Sequence, residues 1–253
     1  MRMKVVDGGG SELHRQSNLI SYVVNDCIAI DAGALALLPL PEQKRLTTIF
    51  LSHSHADHLA TLPLLIDNLY QPGPQCLDLY AGAATIRTLK AHVFNDHIWP
   101  DLLRLSTEAS PFVAFHEVEH GQTIAIGDLR ITPFDVQHTI PTLGYVIQDA
   151  RTAVAIVADT APCDAIWSFL SAVEKLHSVF LEISFPNSMQ WLADISGHLT
   201  THDFAAETQK LQRQVDWYVT HMKPEFADQI VREVEHLRLA KCHFAMGAFE
   251  YTF

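Results

Sequence analysis

Cysteine is scarce and unpatterned in this chain. The four present, Cys27, Cys76, Cys163 and Cys242, are scattered with no C-x-x-C pair, which argues against a disulfide framework and a zinc–thiolate knot. The first residues, Met1-Arg2-Met3-Lys4-Val5-Val6-Asp7, reach charge and then a glycine run before the apolar stretch of a secretory signal can form. Both features lead to the expectation of a reducing, cytoplasmic setting. Long hydrophobic runs are also missing, because stretches such as 28–40 are broken by Asp31 or by prolines and are too short to cross a bilayer. No membrane association is expected. No stretch rich in Pro, Gly and Ser reads as a linker, and no repeat or low-complexity tract is present. With 253 residues at 48% hydrophobic content, the expectation is a single domain over 1–253, large enough to bury its own core. Basic blocks are absent too. Twenty-nine acids against 17 bases give a formal charge of -12, a poor surface for displacing counterions from a long nucleic acid. A small anionic substrate held by metal ions remains compatible with that charge.

What the chain does have is histidine, 15 in all, and their placement matters more than their number. The early segments Met3 to Val6, Leu19 to Val24 and Cys27 to Ile30 read as short strands of a meander separated by turns. Thr47 to Leu51 is β-branched and apolar, a buried strand that ends where the histidines begin. Leu59 to Leu69 then has helical spacing, and Asp57 falls where a first-turn acid is favoured. The run His53-Ser54-His55-Ala56-Asp57-His58 therefore sits at a strand-to-helix junction. Further on, an aromatic, helical insertion is expected near 91–105. Strands are expected at 112–118, 123–126, 129–134, 144–147, 153–157, 178–183 and 217–219, and helices at 83–90, 165–176, 201–214 and 224–237. Strand-rich halves with helices outside them point to an α/β (α+β) fold, a four-layer αββα sandwich.

His53 and His55 lie two apart on an extended loop, so both rings can reach one point, while Asp57 and His58 at the helix start can address a neighbouring one. Imidazole and carboxylate donors suit Zn, with Mn or Fe as alternatives, better than a thiol-selecting metal. Further donors stand where strands end: His138, Asp159 and His221. Their recurring position argues for convergence on one edge of the sandwich.

The run H-x-H-x-D-H resembles the signature of the metallo-β-lactamase superfamily, matched by His53, His55, Asp57 and His58, with counterparts in order for the later ligands. The resemblance implies two divalent metal ions, one held by His53, His55 and His138 and the other by Asp57, His58 and His221, with Asp159 bridging. Such ions, about 3.5 to 4 Å apart, would share a hydroxide of lowered pKa as the nucleophile. The segments 181–187 (LEISFPN), 196–200 (SGHLT) and 220–224 (THMKP), with 90–100 (KAHVFNDHIWP), look like the class II cyclic nucleotide phosphodiesterases. Glu182 and His198 match a Glu and a His found between the last two ligands in the related phosphodiesterase branch. In that role His198 protonates the departing alkoxide and Glu182 fixes its tautomer; Asp57 counts with the catalytic residues as well as with the ligands.

The expected function is hydrolysis of 3′,5′-cyclic AMP or cyclic GMP to the 5′-nucleotide. The expected partner is a small phosphodiester, and a homodimer is suggested by resemblance. The rival readings are a tRNA 3′-processing nuclease, a sulfatase, a lactone or thioester hydrolase, and a metal-binding or ligand-sensing protein without activity. The interval from His138 to Asp159 is too short for the arm that tRNA-processing enzymes insert there. His14, His116, His120, His177, His202, His236 and His243 have no ligand spacing and are read as surface or half-buried. For His92, Phe94, His97 and Trp99, lining a pocket and packing the insertion onto the body are equal readings.

Overall fold

The computed structural model describes residues 1–7, 19–245 and 250–253; the glycine run at 8–10 and His14 lie outside the described residues. The chain forms two compact units. In the first, strands β1 (Arg2–Asp7), β2 (Ile20–Val24), β3 (Ile28–Ile30), β4 (Thr48–Leu51), β5 (Leu77–Ala81), β6 (Val113–Glu117) and β14 (Glu250–Thr252) form one sheet in the order β14-β1-β2-β3-β4-β5-β6. The expected meander is β1 to β3, antiparallel throughout, and β14 adds a further antiparallel strand beside β1. From β3 to β6 the pairing is parallel. Parallel strands are covered on both faces and read as unbroken apolar runs; β4, Thr-Ile-Phe-Leu, is buried at every position. β5, which the sequence reading does not include, alternates in burial along Leu-Asp-Leu-Tyr-Ala.

Helices α1 (Leu40–Gln43), α2 (Ala56–Leu59), α3 (Leu62–Leu69), α4 (Ala83–Thr88) and α5 (Leu102–Leu105) accompany this sheet. Where apolar spacing predicts one helix over 59–69, the structure has two. Thr61 breaks it: its N–H and Oγ1 both donate to Ala32 O, at 3.2 and 2.9 Å, and its Oγ1 accepts from the Ala36 N–H. Pro63 in the first turn then starts α3 without needing a donor. In the expected insertion, α4 runs into a π-helical turn at Leu89–Val93, followed by α5. Phe94 is buried in the core of this unit with Trp99 packed against it, so for these two residues packing is the observed role. His92 and His97 are exposed.

The second unit has β7 (Ile124–Ile126), β8 (Leu129–Val136), β9 (Thr142–Gln148), β10 (Ala153–Ile156), β11 (Leu176–Glu182), β12 (Asp216–Thr220) and β13 (Cys242–Phe244), in sequence order across the sheet. Here too an antiparallel part, β7 to β10, gives way to a parallel part, β10 to β13. Helices α6 (Asp164–Ser171), α7 (Gln190–Ser196), α8 (Thr201–Lys210) and α9 (Ala227–Leu237) belong to this unit. A capping box opens α8, with Thr200 and Asp203 each bonding the other's backbone N–H. Trp167, Leu170, Phe204, Trp217, Ile230 and Val234 pack into one core with the inner residues of β10 to β12. α7 has no apolar stripe toward that core: Trp191 and Ile195 are 60% and 70% exposed, and the sequence reading misses it.

The two parallel parts share a detail. In the first unit Phe50 stacks on Tyr80 and Tyr80 on His116, with ring centroids 4.7 and 4.4 Å apart. In the second, Phe180 stacks on Tyr218 at 4.6 Å and His243 lies 5.1 Å from Tyr218. Each set occupies directly paired positions on three consecutive parallel strands, where cross-strand aromatic contacts contribute to sheet stability.

Among the described residues no helix is long and apolar enough to cross a membrane.

Candidate metal centre

The expected site residues form two sets, one in each unit. In the first unit the chain leaves β4 at Ser52, whose backbone N–H donates to Asp31 Oδ1 at 2.7 Å. Asp31 follows β3 directly, at φ 59°, and is 1% exposed. Its carboxylate also accepts from Ser52 Oγ, 2.9 and 2.8 Å from its two oxygens, and from His58 Nδ1 at 2.8 Å. With the Ser52 hydroxyl donating to Asp31, its oxygen can accept from His53 Nδ1, 2.9 Å away. Both histidines are thereby held in the tautomer whose Nε2 carries the lone pair that a metal needs. The His53 ring lies 4.7 Å from that of His55 and 4.2 Å from that of His58. As expected, Asp57 falls in the first turn of α2, with His55 as its N-cap.

The backbone of this turn is tied down as well. Ala32 N–H donates to His58 O at 2.7 Å, and a Cβ on Gly33 would stand 1.9 Å from Asp57 O. Only glycine fits so close an approach of two backbones.

In the second unit the donors stand beyond the ends of β8, β10 and β12. His138 Nδ1 donates to Gly197 O at 2.8 Å, and its Nε2 lies 4.0 Å from Asp159 Oδ2. His221 Nδ1 meets Ser184 Oγ at 2.9 Å, and its Nε2 lies 3.6 Å from Asp159 Oδ1. Two ligands each about 2 Å from one ion stand at separations of this order. Asp159, His198 and His221 can offer donor atoms all within 4.8 Å of one another. The three side chains are nearly buried, with Asp159 at 3% and His221 at 2% exposed, so a divalent ion would offset the cost of enclosing the Asp159 charge. Burial, only partly offset by the Gly197 carbonyl, holds the His138 pKa below its ordinary value and favours the neutral, ligating form. The donor set fits a divalent cation.

His198 is placed differently. Its Nδ1 is 2.6 Å from Glu182 Oε1, and Glu182, 1% exposed, also accepts from the N–H groups of Thr160 and Ser184 at 3.1 and 2.9 Å. Burial works against the imidazolium, but the charge and hydrogen bond of Glu182, with Asp159 behind them, raise the His198 pKa above its usual value. His198 is thus a histidine prepared to carry a proton.

Sequence reasoning misses Asp31, Ser52, Ser184 and Gly197. The available signal for Asp31 was an acid directly after an apolar strand, and for Ser52 a hydroxyl directly before the first histidine. Of the remaining histidines, His116 is half-buried while His120, His177, His202, His236 and His243 are exposed, in keeping with their expected surface roles.

Residues 24–244 match the model of the beta-lactamase superfamily domain. The chain belongs to that family. Proteins with related sequences include a "Probable 3',5'-cyclic-nucleotide phosphodiesterase" of Yersinia pestis, 25% identical over 87% of this chain and 77% of its own length. Another is a ribonuclease Z of Treponema denticola, 23% identical over 92% of this chain and 80% of its own. Among solved structures, unliganded yeast PDE1 superposes with a TM-score of 0.78 at 16% identity, covering 100% of this chain and 99% of that one. Human tRNase Z, short form, gives 0.71 at 16% identity, with the same coverage. These likenesses show the metallo-β-lactamase fold, the α/β sandwich class expected from the sequence. The protein is a hydrolase of that fold, and divalent metal binding follows from the superfamily and from the His/Asp cluster.

Proposed function

We propose that this protein is a two-metal phosphodiesterase that opens a 3′,5′-cyclic nucleotide, cyclic AMP or cyclic GMP, to the 5′-nucleotide. The observation that carries the reading is the buried Glu182–His198 pair beside Asp159. A hydrolase that expels a good leaving group has little use for a proton donor, whereas an alkoxide leaving from a phosphodiester needs one. His198 holds a proton through Glu182 and can deliver it to the departing 3′-oxygen. The ligand sets are those implied by the superfamily pattern: His53, His55 and His138 for one ion, Asp57, His58 and His221 for the other, with Asp159 shared. When bound, the ions would draw negative charge from the phosphoryl group and lower the pKa of a water molecule. The named function of the Yersinia pestis relative supports the choice of substrate.

The ribonuclease Z relatives favour a second reading, tRNA 3′-end cleavage. Two features of this chain weigh against it. The stretch between His138 and Asp159 is taken up by β9 and β10, an antiparallel pair, leaving no length for an inserted arm. The formal charge of -12 would repel a polyanion.

The test is to assay metal-loaded protein, its metal content measured on the same sample, against cyclic AMP, cyclic GMP, a bis-aryl phosphate, a precursor tRNA and a lactone. The expected result is 5′-nucleotide from at least one cyclic nucleotide. Intact cyclic nucleotides beside a cleaved lactone or tRNA would sink the proposal.

A further inference from the structure

The end of the second sheet opposite His138, Asp159 and His221 carries a cleft of about 510 Å³ that the proposed function does not use. It lies where β10, β11 and β13 begin, and each strand entry supplies a cation: Arg151 before β10, Lys175 before β11 and Lys241 before β13. Thr152, His177 and Phe253 also line it, and no acidic side chain does so among the described residues. In a chain of charge -12, such a concentration of bases is unusual.

Two features set the cleft apart from a chance gathering of surface lysines. Lys175 and Lys241 both have φ of 58°, a left-handed conformation that costs a bulky side chain about 1 kcal/mol or more. The two are equivalent, since each carbonyl accepts from the first residues of the neighbouring strand, Ala153 N–H at 2.9 Å and Trp217 N–H at 2.8 Å. Glycine or asparagine would satisfy that backbone more cheaply, yet lysine stands at both places. The second feature is Thr152. It is 6% exposed, and its buried Oγ1 has no hydrogen-bond partner among the described residues. A buried hydroxyl left unpaired is a standing cost, and because this Oγ1 is shut off from solvent, a turn of the Thr152 side chain toward the cleft is what would let a ligand oxygen relieve it.

The local contacts leave cationic capacity. Lys241 faces Asp216 at 3.2 Å and Lys175 donates to Ala150 O at 2.6 Å, while the Arg151 guanidinium is exposed and can swing over the cleft. His177 meets the Phe253 ring edge to face, with centroids 5.8 Å apart, giving one wall an aromatic surface.

We propose that this cleft is a second binding site, for a phosphate monoester dianion whose organic part is flat and apolar. Arg151, Lys175 and Lys241 would neutralise the phosphate, the Thr152 hydroxyl would donate to one of its oxygens, and the His177–Phe253 wall would take the ring. This site is independent of the proposed activity, and its test does not measure turnover.

Metal-loaded full-length protein is treated with an amine-acetylating reagent, and modification of each lysine is followed by mass spectrometry without ligand, with inorganic phosphate, and with phenyl phosphate. At ten times the dissociation constant, acetylation of Lys175 and Lys241 should slow about tenfold, following 1 + [L]/Kd, while exposed Lys44 is unchanged. Phenyl phosphate should act at lower concentration than phosphate; equal potency would remove the aromatic part of the proposal. Arg151→Ala, a change at an exposed side chain, should abolish the protection. Protection that is absent, that extends equally to Lys44, or that survives in Arg151→Ala would overturn the site.

Discussion

Each unit carries a set of candidate donors, and the two sets are made from the same parts wired differently. Each has a buried acid, a serine and two histidines at the exit of its parallel strands. In the first unit Asp31 accepts from the Ser52 N–H and from His58, and the Ser52 hydroxyl meets His53. In the second, Glu182 accepts from the Ser184 N–H and from His198, and the Ser184 hydroxyl meets His221. The difference lies in where the serine proton goes. Ser52 Oγ donates to the acid itself, at 2.8 to 2.9 Å, whereas Ser184 Oγ can donate to the carbonyl of His221 at 3.2 Å. One acid therefore orients two histidines through a single connected network. The other bonds one histidine directly, His198, whose Nδ1 also lies 3.2 Å from the Ser184 hydroxyl.

The strongest way to break this comparison is to remove the histidine it singles out. His198→Ala should lower kcat for the best diester by about 10²- to 10⁴-fold, the usual contribution of a positioned acid, while metal content by elemental analysis stays at the wild-type level. His53→Ala should instead deplete metal along with activity. Equal metal loss in both variants would make His198 an ordinary ligand and dissolve the distinction between the units.

A smaller effect separates the two acids. Asp31→Asn leaves the Ser52 hydroxyl and His58 competing for one acceptor oxygen, so metal affinity should fall about 10- to 100-fold, as for other groups that orient ligands. Glu182→Gln should cost activity far more than affinity, because what it loses is the charge that holds the proton on His198. A chelator titration followed by activity of the reloaded enzyme reads both quantities. If Glu182→Gln weakened metal as much as Asp31→Asn, the second network would be a ligand-orienting device like the first.

How much of this was legible beforehand follows from the same wiring. The candidate donors at 53–58 stand out because they are contiguous, and His138, Asp159 and His221 because each follows an apolar strand. The orienting groups could not, since their roles depend on partners far along the chain: Asp31 meets His58 across 27 positions and Gly197 meets His138 across 59. Fold class was readable from the alternation of strands and helices. Element boundaries failed where tertiary bonds override spacing, as at Thr61, and where exposed Trp191 and Ile195 hide a helix.

The serines give the next test. Ser52→Ala deletes a hydrogen bond to a buried carboxylate, worth about 1.5 to 3 kcal/mol, while Ser184→Ala deletes one to a neutral carbonyl, worth about 0.5 to 1.5 kcal/mol. Urea unfolding of the two variants under one metal concentration should rank them in that order, and the reverse order would mean that the Ser52 proton does not go to Asp31.

The smallest effect concerns His138, whose Nδ1 donates to a backbone carbonyl. His138 depends on the Gly197 carbonyl, and Gly197 ends α7 at φ 69°, the left-handed cap that glycine adopts without penalty. An added Cβ would lie 3.0 Å from His138 Nδ1 and 3.2 Å from Thr139 N, close enough to require shifts of a few tenths of an ångström. Gly197→Ala should therefore cost about 1 kcal/mol from backbone conformation and, through the displaced carbonyl, weaken metal binding more than that loss of stability predicts. Gly197→Asn, which tolerates the left-handed region better, brings the same Cβ with less backbone strain. If stability recovered in the asparagine variant while metal affinity did not, the contact with His138 would be the sensitive element. Recovery of both would place the whole effect in the helix cap, and His138 would owe nothing to the side-chain-free approach of residue 197.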